Sequence, residues 1–181
     1  AAMSIMSWKK EIENLIEKGF LEWYRAMTDF IPVSELKESL YTNTLFTPLH
    51  KHEIDDIEFL NYIANRLESR RGENLTSRAI HRELTNYEIL HQTLPIVQRV
   101  KKEIEKYNFR FILYDIANDV LKGGESSLNE TLSDLYDGGA RYSVATEMLE
   151  EKHELFRKGF IEFCKKGNLS DASITLSEKG K

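Results

Sequence analysis

The stretch from Leu94 to Leu121 constrains this chain more than any other. Pro95 suits the first position of a helix, where its missing N–H costs nothing, and Gly123-Gly124 stand just past the last apolar pair, where a left-handed cap belongs. Between them Val97, Val100, Ile104, Tyr107, Phe111 and Tyr114 recur at three- and four-residue intervals, forming one stripe of a helix. From Phe109 a second stripe joins, since Ile112, Leu113, Ile116, Ala117 and Val120 cover the opposite side. The spacing predicts one continuous central helix over 95–121 that runs from the surface into the middle of the protein. A chain built around it is mainly α: a single-domain bundle of five to six helices, with a short β tail at 172–176.

Before that helix, Trp8, Ile12, Leu15, Ile16, Phe20, Trp23, Met27 and Phe30 hold a helical period that predicts a helix over 4–30, ended by Pro32. Ser34 caps a short helix through Leu40, and a loop follows over 41–47. The next helix starts at Thr47-Pro48 or a few residues later and reaches Arg70, and Gly72-Glu73-Asn74 turns the chain. Thr76 or Ser77 caps a helix carrying Ile80, Leu84, Tyr87, His91 and Leu94. After the central helix, Ser127 and Glu130 have capping-box spacing for a helix to Tyr136, and Asp137-Gly138-Gly139 forms a turn. A last long helix, from Ala140 or Ser143 to Lys166, closes a domain spanning 4–167. The tail, 168–181, carries the alternating run Ala172, Ile174, Leu176. One echo stands out: Asn14–Trp23 and Glu154–Phe163 share Leu, Lys-Gly-Phe, Glu and an aromatic residue. Glycine inside a helix is costly, so Gly19 and Gly159 are expected where another backbone comes close.

The apolar content, 41% with 10% aromatic, is that of a folded globule. The longest uncharged apolar run, Phe111–Tyr114, is far short of a membrane span, and a single Cys164 forms no internal disulfide, so the expectation is a cytoplasmic protein without membrane contact. The net charge of −5 conceals alternating blocks. Residues 1–65 carry 6 basic and 11 acidic side chains, 66–110 carry 10 and 6, 111–151 carry 2 and 9, and 152–181 carry 7 and 4. Phosphate-cradling glycine loops, nucleophile elbows and paired-cysteine sites are missing, which points away from the enzymes that use them.

These features lead first to a non-catalytic helical protein of bacterial or phage regulatory type, holding no cofactor, that binds another protein or itself through complementary charge. The basic segment Arg66, Arg70, Arg71, Arg78 and Arg82, interleaved with Tyr62 and Tyr87, is the candidate surface.

A second reading rests on the C-terminus. Lys158-Gly-Phe-Ile-Glu162 followed by Ile174-Thr-Leu-Ser-Glu-Lys-Gly180 resembles the recognition-helix end and wing of bacterial winged-helix repressors. The resemblance implies DNA binding by a helix beginning near Arg141, with Arg141, Lys165, Lys166 and Lys179 on the phosphate backbone. A third reading starts from two Glu-x-x-His units, Glu88–His91 and Glu150–His153, each able to offer a carboxylate and an imidazole from one helix face. With Glu58 and Asp119 spaced 30 and 31 residues ahead of their glutamates, the pattern resembles the ferritin-like di-iron family. It implies iron or manganese held by Glu58, Glu88, His91, Asp119, Glu150 and His153. Asp115 and Asp119 near the inner end of the central helix need partners if buried, whichever reading holds.

Overall fold

The computed structural model describes residues 9–18, 20–24, 29–42, 54–70 and 72–181. The fold is mainly helical with small antiparallel sheets, in the order α1(Lys9–Glu17), β1(Leu21–Tyr24), β2(Asp29–Pro32), α2(Ser34–Thr42), α3(Asp56–Ser69), α4(Ser77–Leu90), α5(Pro95–Glu103) and α6(Tyr107–Leu121). Next come β3(Ser126–Ser127), α7(Leu128–Leu135), α8(Gly138–Leu149), α9(Glu154–Arg157), β4(Ile161–Lys165) and β5(Ser173–Leu176). Among the described residues no helix is long and apolar enough to cross a membrane.

The expected helix over 4–30 stops at Glu17 and gives way to a hairpin in which Leu21–Tyr24 pairs antiparallel with Asp29–Pro32. Aromatic and branched residues in Leu-Glu-Trp-Tyr and Asp-Phe-Ile-Pro fit a strand as well as a helix, and Pro32 is tolerated at an edge. Trp8, Gly19, Met27 and the expected helix start at Thr47-Pro48 lie outside the described residues. Ile12 and Ile16 pack with Ile89 in a small cluster apart from the main core.

Caps set the ends of α3 and α4. Asp55 and Glu58 form a reciprocal capping box, with Glu58 N–H donating to Asp55 Oδ1 at 2.8 Å, and Thr76 Oγ1 accepts from Ala79 N–H at 3.2 Å. Pro95 opens α5 as expected, but the central helix is not continuous, because Ile104 adopts extended backbone and the chain restarts at Tyr107. The break is held from the side. Arg110 donates to the carbonyls of Ile104 and Glu105 at 3.2 and 2.5 Å, and both oxygens of Glu88 on α4 grip the same guanidinium at 2.6 Å. Those carbonyls, which a continuous helix would bond internally, thus find a buried donor.

The main core is Phe59, Ile63 and Leu67 of α3, Ile80 and Leu84 of α4, Phe111, Ile112 and Ile116 of α6, and Leu128 and Leu132 of α7, all buried. Gly123, at φ +79°, ends α6 in the left-handed cap its sequence position predicts. Ser127 Oγ accepts from Glu130 N–H at 3.4 Å to start α7. Gly138-Gly139 do not turn the chain away from a helix; they are the first residues of α8. The last long helix is also corrected: α8 ends at Leu149, Glu151 takes φ +57°, and the single turn α9 leads into β4. Phe160-Ile161 and Phe163 satisfy a helical period, yet they alternate with the exposed Glu162 once a partner strand is present. That partner is β5, whose Ile174 and Leu176 are buried, and the sheet order is β3-β5-β4, antiparallel throughout.

The echo has a structural meaning different from the one expected. Phe20 N–H bonds Leu15 O at 2.9 Å, and Phe160 N–H bonds Leu155 O at 2.9 Å, the six-to-one bond that terminates a helix. Gly159 has φ +70°, and a Cβ there would meet nothing within 4 Å. Lys-Gly-Phe therefore stops a helix and starts a strand, and Gly159 answers backbone conformation rather than close packing.

Candidate functional site

From α6 onward the chain runs helix, short strand, two helices, the single turn α9 and a hairpin, with the short strand completing the sheet beside β5. Within this unit α8 buries Ala145 and Met148 and turns Tyr142, Ser143, Thr146 and Glu147 to the exterior, Tyr142 being 62% exposed. Its polar outer face follows from placing small and polar residues everywhere except 144, 145, 148 and 149. Arg141 donates to Asn129 Oδ1 on α7, and its guanidinium lies 5.8 Å from the Tyr142 ring centroid. The first turn of α8 is open: Asp137 makes no cap, and a Cβ on Gly138 or Gly139 would meet nothing within 4 Å. Uncapped amides at a helix start form a positive end that suits an anion.

Asp137 is occupied elsewhere. Its carboxylate accepts from Ser77 N–H at 2.7 Å and pairs with Arg70, which also donates to the carbonyls of Leu75, Ser133 and Asp134. Arg70 is buried, so it fastens the α3–α4 corner to the end of α7. A groove of about 780 Å³ opens along this seam, bordered by Thr76, Asn129, Ser133, Tyr136, Arg141 and Tyr142.

The hairpin adds cations. Lys165 and Lys166 are exposed near its tip, where Asn168 orders the turn by accepting from Ser170 N–H at 2.9 Å. Lys166 pairs with Glu151, and Lys179 donates to Lys158 O at 2.9 Å while lying 4.6 Å from the Phe160 ring centroid. The unit as a whole is not basic, since residues 107–181 carry 10 basic and 13 acidic side chains.

The candidate basic surface is largely engaged within the fold. Arg66 chelates Glu83 and Glu73 at 2.5 and 2.8 Å, Arg70 is the buried clamp, Arg82 is half-buried, and Arg78 is exposed; Arg71 lies outside the described residues. Tyr62 and Tyr87 stack on each other with ring centroids 3.7 Å apart, and burial beside Glu83 pushes the Tyr62 hydroxyl up to about 12.

The six residues of the metal reading sit in separate surroundings. Glu58 closes the α3 capping box, and Glu88 is buried between Arg110 and Tyr114, whose hydroxyl donates to it at 2.9 Å. His91, at the end of α4, lies against Tyr87 and Phe59. Asp119 accepts from Ser126 at 2.7 Å, and Glu150 pairs with Lys152. His153 accepts from Leu155 N–H at 3.3 Å to cap α9 and rests on the edge of Phe109. Glu150–His153 spans the end of α8 and a turn, so the shared helix face assumed for that unit does not exist. Among the described residues no three Asp, Glu, His or Cys side chains are grouped to hold a metal ion.

Asp115 and Asp119 point into a second cleft, of about 360 Å³, between α3, α6 and α7. Thr131 donates to Asp115 at 3.0 Å, yet burial and the neighbouring Asp119 push the Asp115 carboxyl up to about 7. Neither this cleft nor the outer face of α8 is marked in the sequence by a motif; an apolar–polar count over 138–149 would have exposed Tyr142 and Thr146. No known protein family, curated protein or solved structure matches this chain.

Proposed function

We propose that the C-terminal unit binds duplex DNA, with α8 entering the major groove and the β4–β5 hairpin following the backbone. What supports the reading is the order of elements: α7, then α8 presenting its outer face, then the single turn α9 and a lysine-tipped hairpin, an order like the helix, recognition helix and wing of winged-helix proteins. Tyr142, Ser143 and Thr146 supply hydrogen-bonding and stacking groups to base edges, and Glu147 accepts from an exposed cytosine amine. The open first turn of α8, Lys165 and Lys166 take phosphates. With 13 acidic residues against 10 basic in this unit, affinity rests less on counterion release than in basic regulators, so the salt dependence is shallow.

Fluorescence anisotropy with labelled duplexes selected from a random pool tests this at low ionic strength. Tyr142→Ala with Thr146→Ala should weaken selected sites by at least about tenfold and leave random DNA nearly unaffected. Lys165→Ala with Lys166→Ala should weaken both and lower the salt slope by about 2. No binding at low salt, or binding indifferent to both pairs, overturns the reading.

Protein binding outside this unit is the second reading, favoured by Leu40 and Tyr41 on α2, which are 73% and 91% exposed side by side. A DNA-binding unit joined to a protein-contact helix is a regulatory layout, and the exposed free Cys164 suits a reducing compartment such as the cytoplasm. Light scattering on the wild type and on Leu40→Ser with Tyr41→Ser tests self-association; a monomer in both, with no captured partner, removes this reading.

A further inference from the structure

The groove between the α3–α4 corner, the end of α7 and the start of α8 holds a cation that the fold leaves without a counter-charge. Arg141 lines it and forms no ion pair with an Asp or Glu among the described residues. Its side chain donates to Asn129 Oδ1, while its Nε is enclosed and meets no acceptor among the described residues. A buried donor without a partner is costly, and an anionic oxygen is the partner that suits a guanidinium best. A second feature is independent of Arg141. The groove is also bordered by the first turn of α8, where Gly138 lines the space, Asp137 gives no cap, and a Cβ on Gly138 or Gly139 would meet nothing within 4 Å. Asp137 is the acidic residue of the lining, and Arg70 neutralises it. What remains is the charge of Arg141 together with the positive end of a helix of 12 residues.

The same face of α8 decides what the anion is attached to. Arg141 and Tyr142 follow Gly138 by three and four residues, so the three lie together along one side of the helix. Tyr142 lines the groove one turn beyond the open amides, is 62% exposed, and has the Arg141 guanidinium 5.8 Å from its ring centroid. A flat ring can stack there while an anion joined to it reaches the helix start. A volume of about 780 Å³ is in the range of small-molecule sites, and Thr76, Asn129 and Ser133 add the neutral hydrogen-bonding groups that a sugar requires. We infer that this groove binds a mononucleotide, its phosphate accepting from the Gly138 and Gly139 amides and the Arg141 guanidinium and its base lying on the Tyr142 ring. The site stands on the groove alone and does not require α8 to bind DNA.

Calorimetric titration of the full chain, at constant ionic strength, tests it with three probes: AMP, ribose 5-phosphate and adenosine. One equivalent of AMP should bind, at least about fivefold more tightly than ribose 5-phosphate, which has no ring to stack, and at least about tenfold more tightly than adenosine, which has no phosphate. Tyr142→Ala should bring AMP and ribose 5-phosphate to the same affinity. Arg141→Gln should weaken both by at least about tenfold. Gly139→Asp serves if Arg141→Gln disturbs the seam with α7. An acidic residue in the first turn favours the helix, so this variant should melt no lower than the wild type, yet its carboxylate repels the phosphate and AMP affinity should fall by at least about tenfold. No binding of AMP, binding of adenosine or ribose 5-phosphate equal to that of AMP, or Arg141→Gln and Gly139→Asp proteins that bind AMP like the wild type overturns the inference. The titration contains no DNA, so its failure and the failure of DNA binding are read in separate experiments.

Discussion

Leu15 to Tyr24 and Leu155 to Cys164 begin from nearly the same words and end in different places. In each, Lys-Gly-Phe stops a helix with a six-to-one hydrogen bond and passes the chain into the first strand of a hairpin. The second copy is then built into the core: Phe160, Ile161, Ile174 and Leu176 are buried, β3 adds a third strand, and Ser177 N–H returns to Phe160 O at 3.0 Å. The first remains a two-stranded ribbon whose helix rests on Ile89 through Ile12 and Ile16. A local signal fixes where a helix stops, and burial decides how firmly the next hairpin is held.

The largest effect should therefore come from the core side of this pair. Ile174 is fully buried beneath the sheet, so Ile174→Ala should cost about 3–4 kcal/mol, whereas Ile16→Ala in the satellite cluster should cost about 1–2 kcal/mol. Urea unfolding of both variants reads the difference. Equal costs would mean that the first hairpin belongs to the same cooperative core as the second.

Much of the fold was legible because its signals are local. Thr76, Pro95, Gly123 and Ser127 mark ends that depend on a neighbour three or four residues away, and the alternation at Ala172, Ile174 and Leu176 announced a strand. What escaped depends on distant partners. The break at Ile104 exists because Arg110 is gripped by Glu88, 22 residues earlier in the chain, and Phe160–Phe163 is a strand because Ser173–Leu176 pairs with it. The candidate surface was half legible for the same reason. Arg141, Lys165 and Lys166 stand out as charges, whereas Tyr142 and Thr146 gain their meaning only from what the fold leaves beside them.

Acid should separate the two copies next. His153 caps the helix of the second, its Nδ1 accepting from Leu155 N–H while Nε2 is buried without a partner, and burial lowers its pKa from 6.5 to about 4. Between those values the unfolded chain binds a proton that the folded one refuses, so this contribution is complete above pH 6.5 and is lost as pH falls towards 4, by up to about 3 kcal/mol. His81, enclosed by Tyr107, Phe111 and Tyr136, carries a shift of the same sign. Asp115 acts oppositely: its carboxyl, raised to about 7, favours the fold while protonated and loses that advantage as pH climbs from 4 through 7. Asp115→Asn should thus stabilise the protein above pH 7 by about 2 kcal/mol and steepen the acid loss. His153→Asn, which keeps a capping oxygen, should flatten it. Amide exchange at pH 5 should show β4–β5 opening relative to pH 7, with β1–β2 unchanged; parallel opening of both hairpins would argue that acid acts on the whole fold.

The smallest and most local effect lies at the glycine of the echo itself. Gly159→Ala meets open space, so its cost is confined to holding an L-residue at φ +70° and should be about 1 kcal/mol. Asn tolerates that region, and Gly159→Asn should recover about half of the loss. Gly180 gives the contrast, because a methyl there would run into the carbonyl of Phe160, and the backbone that closes the second hairpin would have to move. Gly180→Ala and Gly180→Asn should therefore be equally destabilising, since the obstacle is space and not φ. Thermal melts of the four variants distinguish the two causes. If Asn fails to improve on Ala at 159, the Lys-Gly-Phe signal works through packing after all, and the likeness between the two copies would reduce to their shared hydrogen bond.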